Sequence, residues 1–177
     1  MDSPIDKPGD ISQLKKDNNN ISSNNSFTLI TSSPEETFMA GKEISEHLSP
    51  GSVIALSGAL GSGKTQLAKG IASGLGITEN ITSPTYTIIN EYRLAGEQRT
   101  RTFGSENREI TFYHIDVYRL DNEKDFEDIG GEEILYSDGI CVIEWSERIA
   151  KLLPEDCINI SIEVTGDFSR VIQVTRR

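Results

Sequence analysis

The hydrophobic pattern divides the chain near position 26. Before it, "MDSPIDKPGDISQLKKDNNNISSNNS" is dominated by Asn, Ser, Asp and Lys. Ordering such a segment costs conformational entropy with no apolar burial to offset it, so residues 1–26 are expected to be a disordered polar tail and 27–177 a folded domain. From Phe27 the pattern changes. "FTLIT" reads as a strand, and "SSPEETFMAGKEISEHL" reads as a helix with Ser33 as its cap, Glu36 three residues on and Pro34 in the first helical position. In that helix Phe38, Gly41, Ile44 and Leu48 form one stripe expected to be buried.

"GSVIALSG" (51–58) is nearly all apolar, as in a central strand covered on both faces. After a Gly-rich turn, Leu67, Ala68, Ile71, Ala72 and Leu75 recur at helical spacing, and Gly76 is placed to end that helix. Strand-like segments follow at 86–94, 110–117, 139–144, 157–165 and 170–175, with a short helix expected between Lys124 and Tyr136. "TGDFS" between the last two strands reads as a hairpin, which makes the sheet mixed.

The turn after the central strand carries the chemistry. Gly58-x-x-x-x-Gly63-Lys64-Thr65 is a complete phosphate-loop pattern, in which glycines let the backbone wrap phosphates with its N–H groups pointing inward. Gly61, Ser62 and Gln66 fall within or beside it. Lys64 would neutralise the outer phosphates. Thr65 opens the following helix, where its hydroxyl can take one position on Mg²⁺ and the positive end of the helix dipole attracts anions. The motif sits between a strand and a helix, as its mechanism requires. The expected fold is therefore α/β: a three-layer, P-loop NTPase-like domain over 27–177 with a mixed, mostly parallel central sheet.

A phosphate-loop enzyme also needs an acid near Mg²⁺ and a group that orients the attacking water or hydroxyl. Asp116 ends "ITFYHID" and Glu144 ends "GICVIE", and both apolar runs would deliver a carboxylate to the same sheet edge. In "TSPTYTIINEY" (82–92), Pro84 holds Ser83 extended, so that Thr85 can offer its hydroxyl to a terminal phosphate. His114 is read as a packed, hydrogen-bonded strand residue. Trp145, the single tryptophan, follows Glu144 and by strand alternation points to the other side of the sheet, which favours core packing over an anchor or a base-stacking role.

Composition narrows the partners. Twenty-eight acidic against seventeen basic residues give a net charge of −11, which repels a phosphate backbone and leaves any RNA connection to a partner. No stretch of eighteen apolar residues occurs and no signal core follows the N-terminus, so neither a membrane span nor secretion is supported and a cytoplasmic location is expected. Cys141 and Cys157, without CxxC spacing, are read as reduced core residues.

Taken in order and spacing, "GALGSGKTQLAKGI", "TSPTYTIINEY", "YHIDVYRL" and "ICVIEWSERI" resemble the TsaE family (formerly YjeE) over about residues 27–175. These are bacterial ATPase subunits of the machinery that makes threonylcarbamoyladenosine in tRNA. The resemblance implies ATP and Mg²⁺ as cofactors, slow hydrolysis, and action on the partners TsaD and TsaB, with tRNA reached only through that complex. It implies phosphate contacts from Gly61 through Gln66, Mg²⁺ held by Thr65 and Glu144, catalysis by Asp116, a switch role for Thr85 and a functional role for Trp145. It also implies that Thr37 and Arg170 lie near the adenine.

Two features depart from the family pattern: the long polar tail, and the extended segment 93–110, which adds Arg99 and Arg101 as a solvated tip or a contact for tRNA or a partner. Three other readings compete. A small-molecule kinase would need a lid, for which the Arg99 and Arg101 loop is the sole candidate. A GTPase switch would need a guanine motif, which "NEKD" (122–125) and "DIGG" (128–131) only imitate. A nucleotide-gated interaction module would use the bound state without turnover.

Overall fold

The computed structural model describes residues 26–94 and 110–176. The expected tail up to position 25 and the loop with Arg99 and Arg101 lie outside the described residues. Ser26, expected in the tail, is instead the first residue of β1 (Ser26–Thr31) and pairs with Thr175. A strand at the sheet edge recruits its flanking polar residue because the ladder bonds are made by backbone, whatever the side chain.

Among the described residues, seven strands form one sheet in the order β1-β7-β6-β2-β5-β4-β3. β2 (Val53–Ser57), β4 (Ile110–Asp116), β5 (Ile140–Glu144) and β6 (Ile158–Val164) are mutually parallel and fill the centre. β3 (Ile89–Leu94) and β7 (Arg170–Arg176) run antiparallel to their neighbours, and β1 pairs antiparallel with β7. The hairpin expected at "TGDFS" joins β6 to β7, closed by Thr165 N–H donating to Ser169 O at 3.1 Å. Period-two alternation sorts the strand side chains between two cores. Ile54, Leu56, Phe112, Ile140 and Val142 pack under α1 (Pro34–Ser45) and α2 (Lys64–Gly74). Val53, Ala55, Ile115, Cys141 and Ile143 pack under α3 (Glu123–Asp128) and α4 (Gly131–Leu135). Helices on both faces complete the three layers.

The caps explain where the helices start and stop. Ser33 is extended and its hydroxyl accepts from Glu36 N–H at 3.1 Å, while the Glu36 carboxylate accepts from Ser32 N–H at 2.7 Å. At the end of α2, Gly76 (φ 88) lets its N–H reach Ser73 O and that of Ile77 reach Ala72 O, closing a Schellman motif. Helices α1 and α2 touch backbone to backbone. A Cβ at Gly70 would lie 2.0 Å from Phe38 O, one at Gly41 2.3 Å from Leu67 O, and one at Gly74 2.0 Å from Ser45 Oγ.

Three further expectations need correcting. The strand expected over 86–94 begins at Ile89, because residues 85–87 form a turn and Ile88 has φ 66, which no strand tolerates. The helix expected between Lys124 and Tyr136 is two helices, broken where Gly130 takes φ 77. In α1 the buried stripe is Thr37, Ala40, Gly41, Ile44 and Ser45, continuing to Leu48, with Phe38 half-buried beside it. The glycine contact brings α2 so close that the small residues face it and the large ring is displaced sideways.

Candidate phosphate-binding site

The loop between β2 and α2 forms a cavity of about 320 Å³. Among the expected site residues, Gly61, Ser62, Gly63, Lys64, Thr65, Gln66, Thr85, Asp116, Glu144 and Trp145 all line it. Only glycine suits the loop's turning points. Gly58 has φ 141, and a Cβ there would lie 2.5 Å from Ile162 O; Gly63, with φ 107, is the residue from which α2 starts. Gly58, Thr37 and Arg170 are not among the residues that line the cavity. Thr37 is buried, with its methyl 3.5 Å from where a Gly63 Cβ would be. Arg170 donates from Nε to Ser62 O at 3.0 Å and from Nη2 to Gly61 O at 3.4 Å, and from Nη1 to Gly166 O and Ser169 O. It thereby braces two of the loop's carbonyls.

Lys64 folds back over the loop. Its Nζ donates to Gly58 O at 2.7 Å and Ala59 O at 3.0 Å and lies 3.7 Å from the centre of the Trp145 ring. Burial pushes its ammonium below the ordinary lysine range, against the opposing pull of the Glu144, Glu147 and Asp116 carboxylates. A cation in that position gains from any anion that joins it.

The two carboxylates meet because β4 and β5 are parallel neighbours in register, with Asp116 opposite Glu144. Both are buried. Glu144 Oε2 accepts from Thr65 Oγ1 at 2.9 Å, and Oε1 lies 2.8 Å from His114 Nε2. Asp116 Oδ2 accepts from Thr85 Oγ1 at 2.5 Å and from Ser83 Oγ at 3.0 Å, while Oδ1 accepts from Tyr118 N–H at 3.0 Å. The segment after Pro84 is thereby tied to the strand-end acid.

Trp145 keeps to strand alternation: like Cys141 and Ile143 it lies on the side of the Val53, Ala55 and Ile115 core, against which it packs partly buried. Its φ of 62 turns the chain just after β5 and starts a 3₁₀ turn over Ser146–Ile149, and the indole also lines the cavity. There it packs on Lys64 and, 4.8 Å between ring centres, on Tyr118, which Arg148 covers in turn at 5.4 Å. Sequence reasoning gave no role to Ser83, Lys69 or Tyr118. The first lines the cavity from inside the recognised "SPT" run, the second lies one helical turn beyond Thr65, and the third is two residues past Asp116.

A larger groove of about 740 Å³, bordered by Phe38, Lys69, Ile77 and Glu79, runs beside α2, and neither Asp116, Glu144 nor a glycine of the loop lines it. Volume alone does not make it the chemical site. The oxygen donors of Thr65 and Glu144 suit a hard cation. Among the described residues no group of three or more His, Cys, Asp or Glu side chains converges as a self-sufficient metal cage. Mg²⁺ is ordinarily held by one or two carboxylates completed by phosphate oxygens and water, so the donor set fits it.

A family model described as "Threonylcarbamoyl adenosine biosynthesis protein TsaE" matches residues 31–172. The protein of Treponema pallidum (strain Nichols) named tRNA threonylcarbamoyladenosine biosynthesis protein TsaE is 43% identical over 145 residues, 82% of this chain and 97% of that one. Its namesake in Bacillus subtilis (strain 168) is 39% identical over 145 residues, covering 82% of each chain. The crystal structure of YdiB from Bacillus subtilis superposes with a TM-score of 0.67 at 33% identity, over 87% of both chains. No described helix is long and apolar enough to cross a membrane. Since the match runs from the last residue of β1 into β7, through every element that builds the phosphate cleft, the chain belongs to the TsaE family, P-loop proteins of threonylcarbamoyladenosine formation in tRNA.

Proposed function

We propose that the protein binds ATP with Mg²⁺ in the 320 Å³ cavity and hydrolyses it slowly, in support of a TsaD and TsaB complex that installs the threonylcarbamoyl group on tRNA. The observation that carries this reading is the bridge from Thr85 and Ser83 to Asp116, directly beside a Glu144 bonded to Thr65. The loop amides and Lys64 bind the phosphates, and Thr65 with Glu144 would hold Mg²⁺. The cation would supply charge neutralisation for the β- and γ-phosphates. Asp116 orients the attacking water once Thr85 exchanges its bond to Asp116 for one to the terminal phosphate. That exchange loosens residues 82–88, the segment leading to β3, and so changes the surface offered to a partner. Trp145 keeps Lys64 over the cavity by stacking. Cytoplasmic residence, the 27–177 extent of the ATPase domain and access to tRNA only through the complex belong to the same proposal.

The test mixes the protein with TsaB, TsaD, threonylcarbamoyl-adenylate and unmodified tRNA, with ATP or a non-hydrolysable analogue. ATP is expected to sustain many cycles and the analogue about one. Lys64→Ala should abolish ATP binding, and Asp116→Ala should keep binding while losing repeated cycles. Undiminished cycling by Asp116→Ala, or with the analogue, would refute hydrolysis as the function.

A further inference from the structure

His114 is fully buried on β4, and within its surroundings it makes a single hydrogen bond, from Nε2 to Glu144 Oε1 at 2.8 Å. Its Nδ1 is buried with no hydrogen-bond partner among the described residues. Leaving a ring nitrogen unpaired in a core costs about 1–3 kcal/mol, so packing alone would be better served by an apolar ring. The backbone explains the one bond that is made. His114 and Asp116 are two residues apart on β4 and so share a face, and Asp116 is opposite Glu144 in the parallel register. That places the imidazole one step behind the strand ends, beneath the Glu144 carboxylate. Since an ionised carboxylate only accepts, the nitrogen facing it must carry the proton.

We infer that His114 is a positioning residue for Glu144: its Nε2–H holds Oε1, which fixes Oε2 toward the Thr65 hydroxyl and presents the pair ready-made to a divalent cation. Without this anchor the carboxylate rotates about its terminal torsion and meets the cation in only a fraction of its orientations. Groups that orient a metal ligand in this way change metal affinity by roughly 10–100-fold when removed. The inference rests on the proposed placement of Mg²⁺ at Thr65 and Glu144.

The test uses His114→Phe, which keeps a ring and removes the donor, and His114→Gln, whose amide N–H replaces Nε2–H. Nucleotide affinity is measured in EDTA and across a Mg²⁺ titration, with thermal unfolding alongside. His114→Phe is expected to match the parent within about twofold in EDTA, to melt no lower, and to need about tenfold or more Mg²⁺ for half-maximal tightening of binding. His114→Gln should recover most of that response. In nucleotide-free parent protein, ¹⁵N NMR of the imidazole should show Nε2 protonated and hydrogen-bonded, with the bond altered by Glu144→Gln. A Mg²⁺ midpoint unchanged in His114→Phe, an equal loss of affinity in EDTA, or an unprotonated Nε2 would overturn the role of His114. Nucleotide binding by the parent that ignores Mg²⁺ would instead remove the proposed cation site, and the inference with it.

Discussion

Replacing Gly70 with alanine tests whether the α1–α2 contact holds the phosphate site together. On an exposed helix face the change would stabilise by about 1 kcal/mol, since alanine is the better helix former. Here the added methyl would sit 2.0 Å from Phe38 O, 2.9 Å from Phe38 C and 3.1 Å from Gly41 Cα, all backbone atoms that no rotamer change can move. Reaching ordinary contact at 3.4 Å requires the helices to part by about 3.4 − 2.0 = 1.4 Å. Overpacking of this kind costs about 3 kcal/mol at the upper end of its usual range, so the net loss is about 2 kcal/mol. For a domain of this size that lowers Tm by about 4–8 °C. The parting strains the Gln66 Nε2 to Pro34 O bond at 3.2 Å, which ties the first turn of α2 to α1, so nucleotide affinity should weaken too. Circular-dichroism melts of the parent, Gly70→Ala, Gly41→Ala and the double variant give the answer. The double variant should lose less than the sum, because one separation relieves both clashes. A Tm that stays level or rises in Gly70→Ala would refute the close-contact argument.

Three further outcomes follow from the caps, the loop and the buried thiol. Ser33→Ala removes the hydroxyl that accepts from Glu36 N–H and should cost about 1 kcal/mol in urea unfolding. Arg170→Gln releases Ser62 O and Gly61 O; amide exchange in 61–64 should quicken and ATP affinity fall about tenfold, on the usual worth of hydrogen bonds from a charged donor. Burial pushes the Cys141 thiol from 9.0 up to about 12, so its contribution to stability is whole below pH 9 and is lost as pH rises toward 12. Between pH 8 and 10.5 the parent should lose about 2 kcal/mol more than Cys141→Ala, read as the difference in their urea midpoints; equal losses would contradict the shift.

Much of the site was legible because its parts obey local rules. The apolar run 53–57 can only be a covered strand, the glycines at 58 and 63 name the loop, and Asp116 and Glu144 end two runs of the same kind. What escaped the sequence depends on backbone angles and on distance. Nothing in "EWSERI" signals that Trp145 takes φ 62, or that an indole packed partly on a core also meets Lys64. Ile88 shortens β3 for the same reason, and Gly130 splits a helix that its neighbours' propensities favour as one. Gly41 falls on the stripe expected to be buried, but only the facing backbone shows why a methyl is excluded there and at Gly70. Ser83 became visible as a site residue only once Asp116 was seen beside it.

The order of strands also bears on when the protein becomes competent during synthesis. β7 lies between β1 and β6, and the guanidinium that braces the phosphate loop belongs to its first residue. A growing chain that has emerged only through β6 would have its glycine turn, its lysine and both acids, but an unbraced loop and a β1 lacking the strand it pairs with. Nascent chains halted before residue 170 should therefore capture nucleotide poorly, which delays loading until translation has passed the last hairpin.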